Sequence, residues 1–196
     1  MLTDLTPELL LRAYASGIFP MGDEFSSGIK WYSPDPRCVF NLDEFHVPKR
    51  LLRTYRCGEF QIGINTAWDE VLMHCSRRGS DAGVWITDEI VSAYTQLHQL
   101  GFAHSVEVYK EGQLAGGLYG VCLRGAFMGE SMFHLERDAS KLALVFLVQR
   151  LKERGFKLLD TQYPTKHLST FGAVCIPRSE YMLRLQEALS YQCEFV

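Results

Sequence analysis

The stretch between residues 103 and 162 constrains the fold of this chain more than any other part of the sequence. It holds three strand-like segments, a long helical pattern and a further apolar strand-like segment, in the order 103–109, 113–122, 125–129, 138–154 and 156–162. Glu111 and Gly112 predict a tight turn between the first two strands. Antiparallel strands followed by a helix and another strand predict the α+β class, with a mixed sheet flanked by helices.

Further helices and strands are predicted outside this stretch. Thr6 and Pro7 are typical of a helix start, and Gly17 is typical of a helix end. Helical patterns also cover 48–56, 66–77, 87–101 and 179–189, and strand-like patterns cover 38–42 and 59–64. Asn65 or Thr66 is expected to cap the helix that ends near residue 77.

A proline-containing turn divides the sequence into two unequal parts. Pro34 and Pro36 flank Asp35, and this arrangement predicts a rigid turn. We therefore expect a small N-terminal piece, residues 1–36, and a main domain, residues 37–196. With 196 residues, of which 47% are hydrophobic, the chain is long enough to bury a sizeable core.

Composition and charge exclude several classes of protein. The formal net charge is −3, so a polyanionic partner must be met by a local basic patch. No signal-peptide pattern follows Met1, and the longest apolar run, 142–148, is far shorter than the roughly 20 residues that cross a bilayer. The six cysteines form no C-x-x-C pair, so we expect reduced, packed thiols in the cytoplasm and no metal site.

A series of short segments, spread over nearly the whole chain, resembles one known family. The segments are 13–14, 17–20, 31–37, 85–87, 104–108, 116–121, 129–133, 139–144, 159–162 and 167–173. In this order and spacing they resemble the leucyl/phenylalanyl-tRNA–protein transferases. One segment alone, such as Gly-Glu-Ser-Met-Phe at 129–133, would be weakly specific, and the whole series carries the resemblance.

The resemblance implies both a fold and an activity. The implied fold of the main domain is acetyltransferase-like, and the implied reaction uses no metal and no coenzyme. The enzyme would transfer Leu or Phe, and less readily Met, from aminoacyl-tRNA to the N-terminal Arg or Lys of a protein. The modified protein would then be degraded as an N-degron substrate. We expect a cytoplasmic monomer that does not contact a membrane.

The sequence departs from the family pattern in three places. The family's apolar, Gly-rich N-terminal lead-in is largely absent. Met21 stands where the family commonly has Trp, and His134 stands where it commonly has Ser. Because an indole stacks on a nucleic-acid base and Met does not, Met21 bears on recognition of the donor's end.

The implied reaction is the aminolysis of an ester. An N-terminal amine has a pKa of about 8, so part of it is already the free base at neutral pH. The enzyme must therefore mainly orient the two reactants, accept a proton and stabilise an oxyanion.

Three polar residues are candidates for this chemistry. Asp160 and Gln162 lie two apart on a predicted strand, which would place both side chains on one face. The resemblance assigns this pair to catalysis, with the Gln162 amide oxygen accepting from the amine and Asp160 polarising that amide or taking the proton. Glu130, at the end of the predicted strand 125–129, would hold a cationic group. The alternatives are a polar pair that satisfies loop backbone and a structural salt bridge.

The resemblance also implies an apolar pocket for the donor side chain. Its residues would be Trp85, Leu118, Tyr119, Phe127, Gly129, Leu144 and Leu159. On pattern alone each of these is an ordinary core residue. An apolar pocket discriminates by only about 1–3 kcal/mol per methylene, so tolerance among Leu, Phe and Met is expected.

Basic residues that could contact the tRNA backbone are concentrated in a short helix. Helical spacing places Lys49, Arg53 and Arg56 on one face of the predicted helix 48–56. The full set of candidates is Lys49, Arg50, Arg53, Arg56, Arg77, Arg78 and Lys141. Lys141 would meet a phosphate at the positive end of the long helix. A solvated helix face is the alternative for the short helix.

Two other functions are compatible with parts of the sequence. A coenzyme A-dependent acetyltransferase would need a phosphate loop, and 113–118 nearly fits its pattern but ends in Leu118 inside a predicted strand. Coenzyme A that co-purified with the protein would support this alternative. A non-catalytic module that binds tRNA or protein N-termini would need no proton path, so Glu130, Asp160 and Gln162 argue against it.

Overall fold

The computed structural model describes residues 5–23, 28–77 and 85–196. Helices and strands alternate along the chain. In order they are α1 (Pro7–Ala15), β1 (Phe19–Asp23), β2 (Gly28–Tyr32), β3 (Arg37–Phe40), a 3-10 turn (Leu42–Glu44), α2 (Lys49–Arg56), β4 (Phe60–Ile64), α3 (Trp68–Ser76), α4 (Asp88–Gln99), β5 (Ala103–Lys110), β6 (Gln113–Leu123), β7 (Ala126–His134), α5 (Ala139–Glu153), β8 (Leu158–Gln162), α6 (Lys166–Ser169), β9 (Val174–Ile176) and α7 (Arg178–Leu189).

A seven-stranded sheet with the order β4-β5-β6-β7-β8-β3-β9 forms the centre of the molecule. Neighbouring strands are antiparallel except β7 and β8, which run parallel because α5 crosses between them. The predicted α+β class, with a mixed sheet and flanking helices, is confirmed. The strands β1 and β2 form a separate hairpin that was not predicted.

Apolar cores lie on both faces of the sheet, because successive side chains of a strand point to opposite sides. Tyr119 and Val121 of β6 pack into one core, together with buried residues of α1, α3, α4 and α7. Leu118 and Cys122 pack into the other core, which is dominated by α5. Within the described ranges, no helix combines the length and the apolar character that crossing a lipid bilayer requires.

The first helix begins and ends as predicted, and its end lies against the last helix. Thr6 Oγ1 accepts a hydrogen bond from the backbone N of Leu9 at 3.3 Å. Gly17 has a φ of +73°, and a Cβ placed there would lie 2.7 Å from Sδ of Met182 in α7. Only glycine fits this close approach in a left-handed conformation.

Two predictions about local structure were wrong. Asn65 and Thr66 do not cap α3, because their side chains bind β5. Asn65 Oδ1 accepts from the backbone N of Ser105 at 3.0 Å, and Thr66 Oγ1 donates to Oε2 of Glu107 at 2.9 Å. The strand predicted at 125–129 extends to His134, so Glu130 lies in the middle of β7 rather than at its end.

The cysteines also differ from expectation. Cys38 and Cys175 lie opposite each other in the antiparallel pair β3 and β9, with 4.0 Å between their Cα atoms, and they form a disulfide. The expectation of reduced thiols was therefore wrong for this pair. Their separation in the sequence, 137 residues, explains why cysteine spacing did not indicate it.

Candidate active site

A cavity of about 310 Å³ opens where strands β7 and β8 separate. These strands pair only from Ala126–Leu158 to Met128–Asp160, whereas β7 continues to His134 in pairing with β6. The gap beyond Met128 and Asp160 leaves Gly129 to Met132 on one side and Thr161 with Gln162 on the other, all of which line the cavity.

Most of the residues predicted for the apolar pocket line this cavity. They are Trp85, Leu118, Tyr119, Gly129, Leu144 and Leu159. Phe127 does not line it, because this fully buried residue packs against the ring of Phe195, 5.2 Å away between centroids. Met21, which the sequence linked to recognition of the donor's end, also lines the cavity. Lining residues to which the sequence analysis gave no role include Phe19, Met132, Leu147, Tyr163 and Leu168.

Glu130 is the carboxylate that reaches the cavity. Its Oε1 accepts hydrogen bonds from the Tyr14 hydroxyl at 2.7 Å and from Nε2 of Gln162 at 3.3 Å. Its Oε2 lies 3.4 Å from the hydroxyl of Tyr94, which is itself hydrogen-bonded to the Tyr14 hydroxyl. Two tyrosines from α1 and α4 therefore fix the orientation of this carboxylate.

The surroundings of Glu130 change its acidity. Burial raises the pKa of Glu130 to about 8; the Tyr14 hydrogen bond opposes this rise, the negative charge of Asp160 adds to it, and the positive charge of Arg37 opposes it. Burial, and then the charge of Glu130, raise the pKa of Tyr14 and of Tyr94 well above the usual tyrosine range. Both hydroxyls therefore remain protonated donors at neutral pH.

Asp160 lies behind the cavity and is paired with a buried arginine. Arg37 Nε donates to Oδ1 at 2.9 Å and Arg37 Nη2 donates to Oδ2 at 2.5 Å, while both side chains are at most 1% exposed. The Tyr181 hydroxyl donates to Oδ2 at 3.0 Å. Burial lowers the pKa of Arg37, but the hydrogen bonds and charge of Asp160 outweigh it and raise that pKa.

The side chains of Asp160 and Gln162 point in different directions, whereas their spacing predicted that both lie on one face of the strand. Gln162 has a φ of +57°, so regular strand alternation ends at this residue. Its side chain turns to Glu130, whereas the Asp160 side chain turns to Arg37. The hydrogen bond between the two residues runs from the backbone N of Gln162 to Oδ1 of Asp160, at 2.9 Å.

The predicted basic residues lie mainly on α2 and near the start of α5. Lys49, Arg50, Arg53 and Arg56 are exposed on α2, Arg77 is exposed after α3, and Arg78 lies outside the described residues. Arg50 and Lys141 both bind the buried carboxylate of Asp138, at 2.7 and 2.9 Å. Burial raises the pKa of Asp138, but hydrogen bonds from Lys141 and Arg50 outweigh this effect and hold it below its usual value.

Four polar residues that hold Glu130 and Asp160 were not predicted. Arg37 and Tyr14 lie in segments that carry the family resemblance, yet neither was given a role. Arg37 directly precedes the apolar predicted strand 38–42, and an arginine buried there would need a counter-ion, so this position was a usable signal. Tyr94 and Tyr181 had no signal, because their spacing in helices is that of ordinary core aromatics.

Comparisons with known proteins identify close relatives. Residues 39–186 match the family model described as leucyl/phenylalanyl-tRNA protein transferase, and residues 3–35 match the model for that family's N-terminal domain. The leucyl/phenylalanyl-tRNA–protein transferase of Gloeobacter violaceus is 51% identical over 195 residues, covering 100% of both chains. That of Salinibacter ruber is 52% identical over 186 residues, covering 95% of this chain and 81% of the relative.

A likeness to solved structures is more distant. A GCN5-related N-acetyltransferase from Kribbella flavida matches with a TM-score of 0.44 and 10% identity, covering 83% of this chain and 57% of that one.

Proposed function

Because this chain belongs to the leucyl/phenylalanyl-tRNA–protein transferase family, we propose that it transfers a leucyl or phenylalanyl group from charged tRNA to the N-terminus of a protein. The observation that carries this proposal is the apolar cavity of about 310 Å³ with the Glu130–Gln162 pair at its side. Such a cavity accepts an apolar side chain, and the polar pair lies where the reacting amine and ester would meet.

The shape and chemistry of the cavity support a small set of donors. Leu118, Leu144 and Leu159 present only aliphatic atoms, and Met132 adds a flexible side chain. A polar donor side chain placed among these leucines would lose its hydration without new hydrogen bonds, so this part of the cavity disfavours it. Leu and Phe fit this environment, and Met is a weaker third donor because aliphatic pockets discriminate little among apolar shapes.

The proposed reaction is the attack of a neutral amine on the aminoacyl ester. The amine nitrogen bonds to the carbonyl carbon, the bond from that carbon to the ribose oxygen breaks, and the ribose oxygen finally receives the amine's proton. The side-chain Nε2 of Gln162 donates to Glu130. The other amide atom of Gln162, its Oε1, is therefore free to be oriented toward the attacking amine and to accept a hydrogen bond from it. Glu130, with a pKa of about 8, takes the proton from the amine and returns it to the ribose oxygen.

Asp160 has a different role in this proposal from the one expected from the sequence. Its carboxylate accepts from Arg37, Tyr181 and the backbone of Gln162, and it is fully buried. A carboxylate so engaged is a poor proton acceptor for a substrate in the cavity. Asp160 therefore orients Gln162, and Glu130 handles the proton.

The remaining parts of the proposal concern partners and organisation. The acceptors are proteins with an N-terminal Arg or Lys, and the exposed arginines of α2 contact the tRNA backbone. The protein acts as a cytoplasmic monomer, with residues 1–36 as a small N-terminal domain and 37–196 as the catalytic domain. No coenzyme is needed, because the ester of charged tRNA is already an activated acyl donor.

The alternative of a coenzyme A-dependent acetyltransferase has less support. Residues 113–118 lie within β6 rather than before a helix. A pyrophosphate needs the free N–H groups at the start of a helix, and β6 uses its backbone groups to pair with β5 and β7.

The test is transfer of radiolabelled leucine from Leu-tRNA to a model protein that begins with Arg, in buffer with a chelator and without coenzyme A. We expect acid-insoluble label with this acceptor, and none when the same protein begins with Gly or when free leucine replaces Leu-tRNA. Activity that required acetyl-coenzyme A, or no transfer from any charged tRNA, would overturn the proposal.

A further inference from the structure

Gln162 has a backbone conformation that requires support from its surroundings. Its φ of +57° lies in the left-handed region, which residues with a Cβ occupy at a cost. This turn of the backbone at the end of β8 directs the side-chain amide to Glu130, 3.3 Å away. A more extended conformation at residue 162 would move the amide out of reach of Glu130.

Asp160 supplies the support through one of its oxygens. Oδ1 accepts from the backbone N of Gln162 and from Nε of Arg37, both at 2.9 Å. Oδ2 accepts from Nη2 of Arg37 at 2.5 Å and from the Tyr181 hydroxyl at 3.0 Å. Because each oxygen has two donors, the position of the carboxylate is fixed, and so is the amide that it holds.

Arg37 is itself held from several directions. Its guanidinium carbon lies 4.7 Å from the ring centroids of both Phe19 and Tyr181, so the group is sandwiched between two aromatic faces. Its Nη1 donates to the carbonyl oxygen of Gly17 at 3.3 Å. A planar guanidinium forms a two-point contact with a carboxylate and stacks at the same time, and a lysine ammonium does neither.

We propose that Arg37 and Tyr181 are positioning residues for aminoacyl transfer, which act through Asp160 to hold the side-chain amide of Gln162 against Glu130. This inference rests on the proposed function and deepens it. Neither residue lines the cavity, so their loss lowers the rate of the chemical step and leaves the affinity for charged tRNA nearly unchanged.

The test is a double-mutant cycle measured by single-turnover transfer. Tyr181→Phe keeps the stacked ring and removes one hydrogen bond, and Arg37→Lys keeps the charge and removes the planar fork. We expect rate losses of roughly tenfold to a hundredfold for the first and at least as large for the second, as for hydrogen bonds to a charged group. In a Gln162→Ala background both losses should shrink to less than about twofold, because the group they position is gone.

A merely structural role predicts a different outcome. If Arg37 and Tyr181 only stabilise the fold, each substitution costs the same factor with and without Gln162, and this result would overturn the inference. Arg184→Lys is the matched control, since it alters an exposed ion pair with Glu180 on the same helix as Tyr181 and should keep the wild-type rate in both backgrounds.

Two further outcomes are distinguishable. If Arg37→Lys does not fold, as judged by circular dichroism, the double-mutant cycle of Tyr181→Phe with Gln162→Ala tests the positioning role by itself. If the wild-type protein does not transfer leucine at all, the proposed function fails and the inference fails with it, whereas wild-type transfer with equal losses in both backgrounds overturns only the inference.

Discussion

The side-chain amide of Gln162 lies 3.3 Å from Oε1 of Glu130, the same oxygen that accepts the Tyr14 hydroxyl at 2.7 Å. The two residues belong to β8 and β7, neighbouring strands that no longer pair at this point. An amine that binds the Gln162 oxygen is therefore adjacent to a carboxylate whose pKa of about 8 is close to that of an N-terminal amine.

Replacing Gln162 by Ala should slow transfer without weakening donor binding. The substitution removes the acceptor for the attacking amine and one of the partners of Glu130. A positioned group in proton transfer contributes about 10²–10⁴-fold, and a reactive ester needs the lower part of this range, so we expect a loss of roughly tenfold to a thousandfold. Single-turnover transfer and a separate tRNA-binding measurement check this. Gln96→Ala, at an exposed site on α4, is the control. A wild-type rate would remove Gln162 from the mechanism.

Replacing Asp160 by Asn should destabilise the fold, and raising the pH should not restore the variant's activity relative to the wild type. The substitution leaves Arg37 buried without its counter-ion, and removing one partner of a buried ion pair costs about 3–5 kcal/mol. Urea unfolding measures this loss, with Asp43→Asn, an exposed partner of Lys152, as a control that should change little. If the ratio of the variant's transfer rate to the wild-type rate recovers toward pH 9, Asp160 instead takes the substrate's proton.

Replacing Tyr14 by Phe should move the pH dependence of transfer to higher pH. The wild-type rate should rise as Glu130 ionises through its pKa of about 8, and the hydrogen bond that the variant lacks favours the charged form. Tyr94, Gln162, Arg37 and Asp160 still face Glu130 in the variant and remain unchanged. Tyr94→Phe should produce a smaller shift, since its hydroxyl lies farther away, at 3.4 Å.

The acceptor amine also titrates near pH 8, so the comparison must be made between variants with one acceptor. Tyr55→Phe, which loses a hydrogen bond to Gln149 at a position that does not line the cavity, should give the wild-type profile. A Tyr14→Phe profile that coincides with the wild-type profile would show that Glu130 does not control the rate.

The free energy of unfolding should carry a pH-dependent contribution from Glu130. Its pKa rises from 4.5 to about 8 on folding, so the folded state binds the proton more tightly. This stabilising contribution is fully present below pH 4.5 and is lost as pH rises to about 8. Glu130→Gln should flatten the dependence in this window, as measured by urea unfolding at several pH values. An unchanged slope would place the Glu130 pKa near its unfolded value.

Reversing the charge of Arg53 and Arg56 should weaken tRNA binding. Both side chains are exposed on α2, so the fold should be unaffected. The log–log slope of affinity against salt should fall by about one unit for each tRNA phosphate that is no longer neutralised. Arg12→Glu, at an exposed side chain of α1, is the control for charge alone. Equal affinity and slope in the double variant would identify α2 as a solvated helix face.

The sequence predicted the elements of the fold better than their relations. α1 and α5 were found because caps, glycines and apolar spacing are local signals, and β5 to β7 were found because a short turn and successive strand patterns mark them. The hairpin of β1 and β2 was missed, since β1 contains Pro20 and Gly22, residue types that are uncommon inside strands. The three-residue strand β9 was missed because it exists only through its pairing with β3.

The candidate site was predicted in part for a similar reason. Resemblance indicated Glu130, Asp160, Gln162 and six apolar-pocket residues that line the cavity, but no local pattern indicates that β7 and β8 separate after residue 128. Arg37, which pairs with Asp160, lies 123 residues away in the sequence, and the residue type of Gln162 does not indicate its left-handed backbone. Phe127 was misplaced because an apolar strand residue gives no sign of whether its neighbour is a cavity or another ring.

The network around Asp160 joins the beginning of the chain to its end. Gly17 and Arg37 contribute from the first part, and Tyr181 contributes from the last helix. During synthesis, most of the sheet-forming sequence is therefore made before Tyr181, whose ring completes the aromatic stack on the Arg37 guanidinium. The network around Asp160 is complete only when α7 has packed against β8, so the full rate of transfer requires the chain to be folded as far as this helix.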